Sequence, residues 1–190
     1  MYVRSSFLET ESFVKALSPL KEIDFSFFFD CIPSQEEMSN NINIFAHAEI
    51  NEYFGFHDWI IENQHNFSFI LTWSDKVLNN CENAIYFPFG TTWLKPEQYN
   101  KKYNKEFIVS HVRGNLLKTN GHVKRFEYHD RSTKELTIPN RSWEVAGIRE
   151  QIDTCAEAKC ELFGNSQFGV AIENTTRRGY FTEKINPGRR

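Results

Sequence analysis

The chain carries none of the short motifs that would hand over a function at once. It has no Walker loop, no GxSxG elbow and no GxGxxG, so the commonest phosphate-loop and serine-hydrolase signatures are excluded. Its six histidines (His47, His57, His65, His111, His122, His129) show no HxxxH or HxH spacing. Asp58, Asp75 and Asp130 stand alone rather than in an Asp-x-Asp triplet, and no divalent metal is expected. The four cysteines, Cys31, Cys81, Cys155 and Cys160, make no CxxC pair and no dense framework. Cys155 and Cys160 would form half of a zinc site, but no second ligand pair accompanies them. Reduced, partly buried thiols in a cytoplasmic protein are the expectation. No run approaches the roughly 18 apolar residues of a membrane span, and the N-terminus lacks a basic stretch followed by an apolar core. A net charge of −3 leaves no broad basic footprint for nucleic acid. Internal repeats and low-complexity tracts are absent as well.

Aromatic residues, by contrast, are plentiful. The 190 residues are 40% hydrophobic and 15% aromatic, with 18 Phe, which suffices for a core and argues against disorder. Short apolar runs bounded by polar breaks predict buried strands at Ile23 to Phe29, Asn43 to Ala48, Phe67 to Trp73 and Ala84 to Pro88. Helical spacing spans Phe56 to Asn63, and Ser74 reads as the N-cap of a short helix holding Val77 and Leu78. Lys95 to Glu106 is polar and reads as a linker. Beyond it, Phe107 to Ser110 predicts a strand, Asn115 to Arg125 a turn-prone basic stretch, Pro139 a break, Glu150 to Leu162 a helix and Phe168 to Ile172 a last strand. Strands alternating with helices indicate an α/β class with a parallel sheet. The expected organisation is two α/β lobes, residues 1–105 and 106–190, the second incomplete.

The richest stretch lies near the C-terminus. The run from Phe168 ends in Glu173-Asn174, a basic bend at Arg177-Arg178-Gly179 follows, and Tyr180-Phe181-Thr182-Glu183-Lys184 comes next. A strand, a polar loop and a helix start are the parts with which α/β folds hold phosphate and ribose. Asn174 offers donor and acceptor groups, Lys184 a positive charge, and Glu183 an acceptor for a sugar hydroxyl. Thr182 as an N-cap, with Glu183 in the first turn and Lys184 solvated, explains the same residues without a ligand.

The pairing of Glu-Asn with Tyr-hydrophobic-Thr-Glu-Lys resembles the signature of the α1,3-fucosyltransferases, glycosyltransferase family 10, in its compact, soluble microbial or viral form. The resemblance implies two Rossmann-like lobes of the GT-B kind, an acceptor-side lobe over 1–105 and a nucleotide-sugar lobe over 106–190. It implies an inverting transfer of fucose, or a related sugar, from a GDP-sugar to a glycan hydroxyl, with no cofactor or metal. Gly121-His122-Val123-Lys124-Arg125 then matches the family's glycine loop and the helix whose arginine pairs with the diphosphate. Arg125 is that arginine and Lys124 lies beside it, although both also read as an ordinary solvated pair. Glu49, after the strand ending at Ala48, matches the general base, with Ala48 and Ile50 in place of the family's glycine and asparagine and Glu52 as the alternative. Arg125 and Lys184 become the diphosphate clamp, and Glu173, Asn174, Tyr180 and Glu183 the donor contacts.

The family continues past Thr-Glu-Lys with a helix and a further strand, where this sequence has Asn186-Pro187-Gly188-Arg189-Arg190. The expectation is a C-terminally truncated member that either needs a partner chain to complete its second lobe or binds a nucleotide or glycan without turnover.

Overall fold

Five short parallel strands, each read through backbone hydrogen bonds to its neighbours, build the N-terminal sheet. A computed structural model describes residues 2–5, 19, 22–38, 41–89, 101–135, 140–145 (backbone only), 159–182 and 184. The chain divides into two compact units, Met1–Phe89 with Arg178–Tyr180, and Gly90–Arg177 with Phe181–Arg190. Outside the described residues lie the first half of the expected linker (95–100), Pro139, residues 150–158 of the expected helix, Cys155, Glu183 and everything from Ile185 onward.

The first unit contains β1 (Tyr2–Ser5), β2 (Phe25–Phe29), β3 (Ile42–His47), β4 (Phe69–Thr72) and β5 (Ala84–Tyr86) in that order across the sheet, all parallel. Between β3 and β4 come α1 (Asn51–Phe54) and α2 (Phe56–Glu62), and between β4 and β5 comes α3 (Asp75–Leu78). Strands added in one direction by right-handed crossovers put their helices on one face. The core agrees: Phe28, Phe45 and Ile70 sit side by side in the register and pack with Phe56 and Ile60 of α2 and Val77 of α3. Each such side chain contributes about 2 kcal/mol by leaving water. The alternate residues Phe25, Phe27, Phe29 and Ala46 make a second cluster on the opposite face. Ser74 stands at the N-cap of α3 as expected, but its hydroxyl makes no capping bond. β1 is tied at its outer side by Tyr2 Oη, at 2.5 Å, and Arg4 Nη1, at 2.6 Å, to Glu37.

The second unit holds β6 (Glu106–Gly114), α4 (Asn120–Glu135), β7 (Asn140–Val145), a helical segment over 159–164 and β8 (Ser166–Val170). Its sheet runs β7-β6-β8, again all parallel. The chain steps from β6 to β7 on one side and returns to β8 on the other. In open parallel sheets such a reversal marks the carboxyl ends of the flanking strands, here the loops after β6 and β8, as the place where ligands generally bind. Asn115 to Arg125 is thus a loop only as far as Thr119; Gly121 to Arg125 form the first turns of α4, the helix on which the family resemblance places Arg125.

The α/β class with parallel sheets holds in both units. Among the described residues no helix is long and apolar enough to cross a membrane.

Candidate functional site

Parallel strands deliver their chain ends to one edge, and in the first unit that edge collects ionisable groups inside an aromatic frame. His47, the last residue of β3, is 1% exposed, with Nδ1 3.1 Å from Thr72 Oγ1 and the Trp73 ring stacked at 6.1 Å. Burial, helped by the neighbouring His57, pushes its imidazole down to about 3, so it is neutral at neutral pH. Ala48 and Glu49 follow. The Glu49 side chain is half-buried, and its N–H donates to Asp30 Oδ2 at 3.1 Å. Trp73 Nε1 donates to the Ala48 carbonyl at 2.8 Å. Ile50, Trp73 and Tyr180 form a small buried cluster, Tyr180 standing edge-on to Trp73 at 4.9 Å. Gly179, with φ +75°, brings the chain to that position, within 3.1 Å of the Tyr86 ring for any added Cβ.

In the second unit the loop after β8 folds over the N-terminus of α4. Gly121 N–H donates to the Asn174 carbonyl at 3.1 Å. A Cβ at Gly121 would collide with the Glu173 carbonyl oxygen and lie 2.5 Å from that of Asn174, which explains the glycine. Thr119 Oγ1 accepts from the His122 N–H at 3.3 Å and caps the helix. One turn on, the Arg125 fork spans the loop: Nε donates to the Ile172 carbonyl at 2.9 Å and Nη2 to Asn174 Oδ1 at 2.6 Å. Glu173 reaches forward instead, accepting the Thr182 N–H and Oγ1–H, both at 2.8 Å. Lys184 Nζ donates to Thr182 Oγ1 at 3.1 Å and lies 3.9 Å from Glu173 Oε2.

His122 reports the local field. It is 4% exposed, and burial together with the positive charges of Arg125, Lys184 and Lys118 drives its imidazole down to about 4. The positive charges of Arg125, Lys184 and Lys118 thus all act on this buried ring, which is neutral at neutral pH. An anion is the ligand class that such a field favours.

Of the residues singled out in the sequence, Arg125, Glu173, Asn174 and Lys184 come together here. Glu49 and Tyr180 belong to the first unit, Lys124 is exposed on α4, and Glu183 lies outside the described residues. Asn174 sits four residues beyond the end of β8 rather than at the strand end. Sequence reasoning passed over Asp30, and met Lys118 and His122 only inside the basic stretch Asn115 to Arg125 and the run Gly121 to Arg125. The signal for Asp30 was present: it is an acid just beyond a buried strand, the criterion that selected Glu49. That Lys118 bears on the His122 ring was not legible, since it depends on how the loop folds. Among the described residues no three His, Cys, Asp or Glu side chains form a metal-ligand group. No family model matches the chain, and no curated protein or solved structure is significantly similar to it.

Proposed function

We propose that the chain is an inverting, fucosyltransferase-like glycosyltransferase that moves fucose, or a related sugar, from a GDP-sugar to a glycan hydroxyl. Two Rossmann-like lobes of the GT-B kind are part of the proposal. The observation that carries it is the loop after β8, where Arg125 Nη2 bonds Asn174 Oδ1 at 2.6 Å and Lys184 Nζ bonds Thr182 Oγ1 at 3.1 Å beside Glu173; the positive charges of Arg125, Lys184 and Lys118 also depress the His122 imidazole. A nucleoside diphosphate leaving an anomeric carbon gathers negative charge, and fixed cations stabilise that charge without a metal. Lys184, steadied through Thr182, and Lys118 supply charge, while Arg125 shapes the loop. Glu49 takes the proton of the acceptor hydroxyl as its oxygen bonds to the anomeric carbon. The bond to the diphosphate breaks on the opposite face, which inverts the configuration. Asn174, Tyr180 and Glu183 contact the donor, with Lys124 at the rim. The free thiols of Cys31 and Cys81 suit a cytoplasmic setting.

A second function, binding a nucleotide or glycan without turnover, is favoured by a different observation. The Arg125 fork and the Glu173 carboxylate are both engaged with the loop itself. Calorimetry with GDP and GDP-fucose, followed by turnover assays over a panel of nucleotide sugars, separates the two. Wild type is expected to bind GDP, and Lys184→Ala to bind it about tenfold more weakly, the worth of one charge-assisted bond. Turnover lost in Glu49→Gln with GDP binding intact supports transfer. GDP binding with no turnover of any donor supports the second function, and no binding by wild type sinks both nucleotide readings.

A further inference from the structure

Asp30 follows β2 directly, in a conformation that few side chains adopt. Its φ of +47° lies in the left-handed region, which non-glycine residues enter rarely and Asp or Asn most readily. The residue is 0% exposed. Its carboxyl crosses to the end of β3, where Oδ1 accepts the Ala48 N–H at 3.0 Å and Oδ2 accepts the Glu49 N–H at 3.1 Å. Its own N–H donates to the Ala46 carbonyl at 2.9 Å. The backbone from Ala46 to Glu49 is therefore held against the end of β2 by a single residue.

Only aspartate meets all of these demands. Glycine would relieve the backbone but strip the acceptor from both N–H groups. Asparagine would keep the shape but turn an NH2 donor toward one of them. A plain turn has no need of a buried carboxyl next to a second carboxyl, and strained or buried ionisable groups gather where function requires them.

We propose that Asp30 is a positioning residue that forms a coupled carboxyl pair with Glu49 and fixes the backbone from which Glu49 reaches its substrate hydroxyl. The hydroxyl rests on the glycosyltransferase reading; the pair itself does not. Burial pushes the Asp30 carboxyl up to about 8, the Ala48 and Glu49 amide bonds oppose the rise, and the Glu49 carboxylate adds to it. The Cys31 thiol also faces Asp30 and is itself pushed up to about 11, mainly by burial. Proton and amides thus compete for Asp30. Losing the proton strengthens both amide bonds and sets a second negative charge beside Glu49, which favours proton uptake by a base.

The test follows the Ala48 and Glu49 amide resonances against pH in the full chain, in wild type and in Glu49→Gln. Both amides are expected to titrate together with a midpoint near 8, and Glu49→Gln to lower that midpoint, since the Glu49 charge helps to raise it. A midpoint in the ordinary aspartate range, or one that Glu49→Gln leaves in place, overturns the pair. In the transfer assay Asp30→Asn is expected to lower kcat about tenfold and shift its pH profile while the donor KM holds. An unchanged kcat and profile overturn the positioning role. Wild type without turnover overturns the glycosyltransferase function alone, and the titrations decide the pair even where Asp30→Asn fails to fold.

Discussion

Gly121 and His47 show how single residues set the two site regions. At Gly121 the obstacle to any side chain is backbone, the carbonyl oxygens of Glu173 and Asn174, which cannot rotate away. Gly121→Ala is expected to cost about 2 kcal/mol or more, and to release the loop over 171–175. Urea unfolding reads the cost, and faster hydrogen exchange at the Gly121 amide reads the release. Unchanged exchange would contradict the close approach. His47 predicts a pH effect. Its pKa is depressed from 6.5 to about 3, so its contribution to stability is full above pH 6.5 and is lost as pH falls toward 3. His47→Phe keeps a ring beside Trp73 and leaves Thr72 Oγ1 its bond from the Ser74 N–H. Between pH 7 and pH 4 the variant is expected to lose less stability than wild type, as measured by urea midpoints. Equal losses would place the acid sensitivity elsewhere.

Elements differ in how openly the sequence announces them, and burial is the reason. Parallel strands with a buried face are written as short apolar runs, so β2, β4 and β5 fall inside the stretches expected for them, and β3 begins one residue earlier, at Ile42. Phe45 is the centre of that pattern, 0% exposed and ringed by Phe56, Trp59 and Phe67. Phe45→Ala is expected to destabilise the first unit by about 4 kcal/mol, read by chemical unfolding, since the cavity adds to the lost transfer energy. A loss below 1 kcal/mol (about a quarter of that) would mean the row does not carry the sheet. The elements that escaped notice lack such runs. β7 reads Asn-Arg-Ser-Trp-Glu-Val, and β1 offers only Tyr2 and Val3. The helix α4 buries Gly121, His122 and Ser132 rather than an apolar stripe, so periodicity had nothing to register.

For the whole molecule, two parallel sheets each bring functional groups to a carboxyl edge, and the two edges differ in chemistry. One gathers the buried Asp30, the half-buried Glu49 and a neutral histidine; the other gathers cations. The C-terminal signature was legible because its residues are close in sequence, yet its internal bonding was not: that Asn174 would be held by Arg125, and Glu173 by Thr182, depends on contacts across 49 and 9 residues. The separation also explains why Arg125 belongs with the motif, since the two share one loop. On the proposed function, the edge of β6 and β8 binds a nucleoside diphosphate. Titration of GDP into the full chain, followed at the His122 imidazole, decides whether it does. Bound phosphate offsets Lys118, Arg125 and Lys184, so the His122 pKa is predicted to rise from about 4, with a weaker GDP response in Lys184→Ala. An imidazole that titrates at the same pH with and without saturating GDP would contradict the claim.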